Sequence, residues 1–74
     1  MDKTKDRMLI LMKSMQCNQE HFASLTGVDK AIISRIIKGE TEPNVKSLRK
    51  IAEATKTSPS WILGYGNKDV IERI

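Results

Sequence analysis

One cysteine, Cys17, and one histidine, His21, occur in this chain of 74 residues. A lone cysteine excludes an internal disulfide, and one cysteine with one histidine cannot supply the four ligands of a structural zinc site. A chain of this length buries only about 60% of the surface that it exposes when unfolded. Packing within the chain, or against a second chain, must therefore stabilise the fold, and neither a metal nor another cofactor is expected.

Composition and charge narrow the class of protein further. With 39% hydrophobic and 30% charged residues, the sequence is typical of a globular domain. The longest apolar run, residues 8–12, is far shorter than the roughly 20 residues that span a bilayer, so no membrane span is expected. The unpaired cysteine suits a reducing compartment and predicts a cytoplasmic location. The net charge of +4 favours an acidic partner such as nucleic acid, although an ordinary basic surface would carry the same charge.

Capping residues and glycines predict five short helices. The N-cap candidates are Asn18, Asp29, Asn44 and Ser58, and Pro59 suits a first helical position. The predicted helices cover residues 5–16, 19 to 25 or 26, 30–38, 45–55 and 59–63. With weak signals for strands, this order of elements predicts an all-α fold.

Apolar spacing assigns one face of each predicted helix to the core. The expected core residues are Met8, Leu11, Met12, Met15, Phe22, Ala23, Ile33, Ile36, Ile37, Val45, Leu48, Ile51, Ala52 and Trp61, with Ile62 or Leu63. Cys17 is expected to be a buried structural thiol rather than a redox sensor, and His21 an exposed side chain. The stripes are short, as expected for a small bundle in which each helix contributes one or two turns to a common core.

The segment from Gln19 to Lys38 has informative spacing. A small Ala23 permits close crossing of two helices, and Gly27 can adopt a positive φ in a tight turn. Isoleucines at 33 and 36 then anchor the second helix across the first. This arrangement resembles a helix-turn-helix unit in which residues 30–38 form the recognition helix.

The wider pattern resembles the lambda-repressor/Cro-like family, also called the XRE family, from about residue 8 to residue 64. The residues that carry this resemblance are Gln19, Ala23, Gly27-Val28, Ile33-Ser34-Arg35-Ile36, Lys38-Gly39, Pro43, Leu48-Arg49-Lys50-Ile51-Ala52 and Ser60-Trp61-Ile62-Leu63-Gly64. The resemblance implies a compact five-helix DNA-binding domain over residues 1–64, followed by a short tail over residues 65–74. It also implies a sequence-specific transcriptional regulator of double-stranded DNA, binding as a homodimer to a palindromic operator.

Three positions depart from this family. Members often pair an arginine on the first helix with a glutamate near the end of the third, where this chain has Met12 and Ile37. Because well-packed apolar residues can replace a buried ion pair, Met12 is predicted to contact Ile37. Gln16 stands where a glycine is often found in the turn between the first two helices, which leaves the conformation of that turn open.

The outer face of the predicted recognition helix supplies the candidate base contacts. Since the isoleucines face the core, the resemblance assigns base readout to Lys30, Ala31, Ser34 and Arg35. Lys30 and Arg35 suit guanine O6 and N7, with a phosphate contact or a solvated charge as the alternative for each. Ala31 suits a thymine methyl. For Ile32, contact with a thymine methyl and packing at the edge of the domain are equally expected. Asp29 is expected to act as a helix cap rather than as an acceptor for cytosine.

Phosphate contacts are expected on both flanks of that helix. The family pattern places Asn18 and Gln19, at the start of the second helix, beside the DNA backbone, and the same logic adds Lys38, Thr41 and Asn44. Residues 30–56 contain seven basic and three acidic side chains, so the excess positive charge lies in and after the recognition helix. Arg49 and Lys50 are expected to belong to a solvated helix face.

Apolar residues are left over outside the predicted core, namely Leu9, Ile10, Val70, Ile71 and Ile74. The spacing of the last three predicts one or two helical turns in the tail, which either packs on the first helix or forms part of a dimer contact. An antitoxin or another partner-binding protein with an adapted helix-turn-helix is the alternative function. That class typically has a longer disordered C-terminal segment, whereas about ten residues follow Gly64. An enzyme is not expected, because no catalytic set of residues and no phosphate loop is present.

Overall fold

A computed structural model describes residues 3–74 and places five α-helices among them. The helices are α1 (Thr4–Ser14), α2 (Gln19–Thr26), α3 (Lys30–Lys38), α4 (Val45–Thr55) and α5 (Pro59–Ile62). The prediction of an all-α fold is confirmed. The bounds of α2, α3 and α4 agree with those predicted. Helix α1 begins one residue earlier and ends two residues earlier than predicted, and α5 ends one residue earlier.

The predicted caps explain why the middle helices begin where they do. The side-chain oxygens of Asn18 and Asn44 each accept a hydrogen bond of 2.8 Å from the backbone N–H three residues later, and Asp29 accepts one of 2.8 Å from Ala31. Each cap satisfies a donor that the first helical turn leaves without a partner. Ser58 precedes α5 without such a bond, and its hydroxyl lies 2.9 Å from that of Ser60.

The core forms where α1, α3, α4 and α5 meet around Phe22 of α2. Its fully or nearly fully buried members are Met8, Leu11, Met12, Phe22, Val28, Ile33, Ile36, Ile51, Ala52, Trp61 and Ile62. Four expected core residues, Met15, Ala23, Ile37 and Leu48, are half-buried and pack against this cluster. The prediction for Val45 is wrong, because this side chain is 73% exposed. It stands in the first turn of α4, on the open side of a groove rather than beneath another helix.

The turn between α1 and α2 adopts the conformation for which a glycine is usual. Gln16 has φ +55°, and the backbone N–H of Cys17 donates to the Met12 carbonyl at 2.9 Å. A left-handed conformation costs a residue with a side chain about 1–2 kcal/mol. Cys17 is half-buried and its Sγ lies 3.6 Å from the Met15 carbonyl, so the prediction of a buried thiol is met only in part.

The prediction of a helix in the tail is wrong, because residues 65–74 form turns followed by an extended segment. Ser58 N–H donates to the Glu72 carbonyl at 2.7 Å, and Ile74 N–H donates to the Lys56 carbonyl at 3.1 Å. Arg73 forms an antiparallel bridge with Thr57 between these two bonds. A short helix would be marginal by itself, whereas the extended segment satisfies backbone groups that follow α4.

Arg7 joins the first helix to the last helix and to the tail. Its side chain is 1% exposed, and its guanidinium donates to the carbonyls of Trp61, Gly64, Tyr65 and Gly66 at 2.7–3.1 Å. Trp61 Nε1 in turn donates to the Asn67 carbonyl at 2.9 Å. A cation at the C-terminal end of a helix also interacts favourably with the helix dipole. The sequence pattern made no prediction for Arg7.

Candidate nucleic-acid interface

The helices α2 and α3 are joined by a turn whose geometry is fixed by local hydrogen bonds. Gly27 has φ +75° and its N–H donates to the Ala23 carbonyl at 2.9 Å. Thr26 is buried; its hydroxyl donates to the Phe22 carbonyl at 2.9 Å and accepts from Val28 N–H at 3.3 Å. No neighbouring atom would meet a Cβ at Gly27, so the positive φ rather than lack of space favours glycine there.

The third helix has an apolar inner face and a polar outer face. Ile33 and Ile36 are buried, and Ile32 and Ile37 pack against the core from its edges. At 100° per residue, positions 31, 34, 35 and 38 lie on the side opposite this core-facing arc. Of the residues predicted to contact bases, Lys30, Ala31 and Arg35 are exposed and Ser34 is half-buried. The packing of Ile32 supports its structural interpretation over contact with a thymine methyl.

The residues predicted to contact phosphate lie at helix starts and in the loop after α3. Asn18, Lys38, Thr41 and Asn44 are exposed, and Gln19 is half-buried. Capping uses the side-chain oxygens of the two asparagines, which leaves their amide nitrogens outside the caps. A bond of 2.9 Å from the Thr4 hydroxyl to Glu42 ties the loop to α1.

Two charged side chains near the turn were not assigned to the site from the sequence. Glu20 Oε2 lies 3.9 Å from Lys30 Nζ and joins the first turns of α2 and α3. Lys50 was expected to be solvated. It is exposed, but its Nζ also donates to the Gly27 carbonyl at 3.4 Å. No local spacing links these residues, because each contact depends on how two helices cross.

The apolar residues left over by the sequence pattern divide into two groups. Ile10 and Ile71 pack against the core, whereas Leu9, Val70 and Ile74 are 47%, 63% and 69% exposed. Ile74 lines an open groove of about 370 Å³ together with Val45, Leu48, Arg49, Ala52, Glu53 and Pro59. For Ile74 the expectation of packing on α1 is therefore wrong, since its hydrogen bond to Lys56 holds the chain end beside α4.

Comparison with known proteins identifies the family. The Helix-turn-helix family model matches residues 10–62, which is more than two thirds of the chain. The chain belongs to the helix-turn-helix family. The solution structure of the DNA-binding domain of the P22 C2 repressor, residues 1–76, is similar with a TM-score of 0.75 and 25% sequence identity. The match covers 93% of this chain and 96% of that chain. No curated protein sequence matches this chain.

This XRE-type helix-turn-helix protein is a DNA-binding transcription regulator and not an enzyme. The resemblance inferred from the sequence is confirmed, and so is the lambda-repressor-like fold. Within residues 3–74, no helix is long and apolar enough to cross a membrane, and no group of three His, Cys, Asp or Glu side chains could hold a metal ion. Double-stranded DNA is its partner.

Proposed function

We propose that the protein binds double-stranded DNA sequence-specifically, with α3 in the major groove, and regulates transcription in the cytoplasm. The observation that carries this proposal is the division of α3 into two faces. Its isoleucines are used by the core, while Lys30, Arg35 and Lys38 are exposed on the remaining arc. An α-helix fits the major groove of B-DNA, where side chains on such an arc reach the edges of the bases.

Base readout is assigned to Lys30, Ala31, Ser34 and Arg35. The two basic side chains donate to guanine O6 and N7, and the methyl group of Ala31 suits a thymine methyl. Ser34 contributes a hydroxyl that can donate or accept. Lys30, Ala31 and Arg35 are exposed. Their exposure supports the assignment, because a side chain that contacts a base must be accessible to the DNA.

Phosphate contacts are assigned to the two flanks of α3. Asn18 and Gln19 stand at the start of α2, where backbone N–H groups and the helix dipole favour an anion. Lys38, Thr41 and Asn44 follow the recognition helix on the other flank. These contacts fix the position of the protein on the duplex without reading its sequence.

We assign the homodimer contact to the groove between α4 and the chain end, which is lined by Val45, Leu48, Arg49, Ala52, Glu53, Pro59 and Ile74. Val45 and Ile74 expose 73% and 69% of their surface there. Arg49 and Glu53 are one helical turn apart on its rim. If two α4 helices cross antiparallel about a two-fold axis, each Arg49 meets the Glu53 of the second copy, so the surface is complementary to itself. A palindromic operator has the matching symmetry.

Selection of duplexes from a random oligonucleotide pool tests this function. The expected result is a preferred site that contains an inverted repeat, with half-sites about one helical turn apart. Affinity for that site should exceed affinity for random duplexes by at least about 10³-fold. Weak binding that is equal for every duplex would contradict the proposal and favour the alternative of a partner-binding protein, such as an antitoxin, with an adapted helix-turn-helix.

A further inference from the structure

An ion pair joins α2 and α3 at the N-terminal end of the recognition helix. Glu20 Oε2 lies 3.9 Å from Lys30 Nζ, and the two side chains are 81% and 61% exposed. Glu20 stands in the first turn of α2, where the helix dipole favours a carboxylate, whereas Lys30 begins α3, where the dipole disfavours an ammonium group. The contact therefore offsets an unfavourable charge and restricts a flexible lysine side chain.

The exposure of this pair leaves both charged groups accessible to a ligand. Ion pairs between exposed side chains contribute little to stability, and the core contacts of α2 and α3 are made by other residues. Both charged groups are open to solvent, so both can exchange their mutual contact for groups on an incoming ligand. The pair therefore presents one donor group and one acceptor group to that ligand, close to each other.

We infer that Glu20 and Lys30 together recognise a single G·C base pair, an inference that rests on the proposed function of Lys30 as a base reader. A base pair within reach of the Lys30 ammonium is also within reach of the Glu20 carboxylate, because the two groups lie 3.9 Å apart. In the major groove, guanine presents the acceptors O6 and N7, and the paired cytosine presents its N4 amino group beside them. Lys30 donates to the guanine, and Glu20 accepts from the cytosine.

The same arrangement discriminates against the other base pairs. Adenine has an amino donor where guanine has O6, and this donor faces the ammonium group unfavourably. In a reversed C·G pair the donor and acceptor groups exchange places. The Lys30 ammonium then faces the amino donor of cytosine, and the Glu20 carboxylate faces the acceptors of guanine. Glu20 is thus a second specificity-determining residue at the base pair that Lys30 reads.

The test measures base preference rather than affinity alone. The wild-type chain, Glu20→Met, Lys30→Met and the double variant are titrated on the selected duplex and on duplexes in which each base pair is changed in turn. Methionine removes the oxygen acceptor of Glu20, which glutamine would keep. We expect Glu20→Met and Lys30→Met to relax the preference at the same G·C pair, each by at least about fivefold. The double variant should relax that pair and no other. Thermal melts of the four proteins establish that all are folded.

Asp69→Asn is the matched control, because it removes one exposed acidic group from the tail. It should leave every base preference unchanged. The inference is overturned if Glu20→Met keeps the preference at the pair read by Lys30, or if it changes the affinity of all duplexes by one common factor. A wild-type chain without any base preference would refute the proposed function itself, whereas a selective Glu20→Met variant beside a selective wild type refutes only this inference.

Discussion

The guanidinium carbon of Arg7 lies 4.8 Å from the centroid of the Trp61 ring, while Arg7 Nη1 donates to the carbonyl of the same tryptophan at 3.1 Å. One side chain of α1 thereby contacts both the ring and the backbone of α5. Both residues are buried, so these contacts form away from the screening of solvent. The C-terminal end of the shortest helix is held by the first helix of the chain.

Arg7→Lys should destabilise the domain by about 3 kcal/mol or more, because a single ammonium group cannot replace the planar fork that reaches four carbonyls. Unfolding by urea, followed by circular dichroism, measures the loss. Arg35→Lys on the exposed face of α3, measured without DNA, is the control and should change the free energy of unfolding by less than about 0.5 kcal/mol. Equal unfolding midpoints for Arg7→Lys and the wild type would contradict this account.

The role of Arg7 could not be predicted from the sequence. It lies about 100° from Met8 on α1, at the edge of the apolar arc, where a basic residue usually extends toward solvent. Its carbonyl partners are 54 to 59 residues away in the chain. Neither periodicity nor a motif links positions so distant, and only the crossing of α1 with α5 brings them together.

Local features, by contrast, could be predicted well. The caps at Asn18, Asp29 and Asn44 depend on bonds to residues two or three positions ahead, so their effect is contained in the sequence around them. The tail shows the opposite case. Its apolar spacing suits a helix, but the backbone after α4 offers hydrogen bonds to Glu72 and Ile74 that draw it into an extended conformation.

Ile37→Glu should destabilise the protein by about 1–3 kcal/mol, since Ile37 packs against the core and a carboxylate there would lose hydration. We predict that Ile37 contacts Met12, which is buried on α1. The double variant Met12→Arg with Ile37→Glu should then recover much of the loss by forming an ion pair. Thermal melts of the two single variants and the double variant test both statements. A double variant less stable than Ile37→Glu alone would refute the contact.

Substitutions on α3 should separate base readers from phosphate contacts. Lys30→Ala or Arg35→Ala should cost about 1–3 kcal/mol on the selected site and relax the preference at one base position. Lys38→Ala should instead weaken binding to all duplexes alike and flatten the salt dependence by about one unit. Binding titrations at several salt concentrations distinguish the two patterns, with Lys68→Ala in the exposed tail as the control. A uniform loss for all three variants would assign Lys30 and Arg35 to phosphate as well.

The groove beside α4 gives a prediction for assembly. Val45→Glu should weaken self-association by about 1–3 kcal/mol, because dimerisation would bury a carboxylate against the apolar side chain of Ile74. Tyr65→Glu is the matched control, since Tyr65 is 58% exposed but does not line the groove. Arg49→Glu should also weaken association, and adding Glu53→Arg should restore it by reversing both charges of each pair. Sedimentation equilibrium of the wild type and the four variants measures self-association. A wild-type chain that remains monomeric at every concentration, or a Val45→Glu variant that associates as the wild type does, would exclude this surface as the dimer contact.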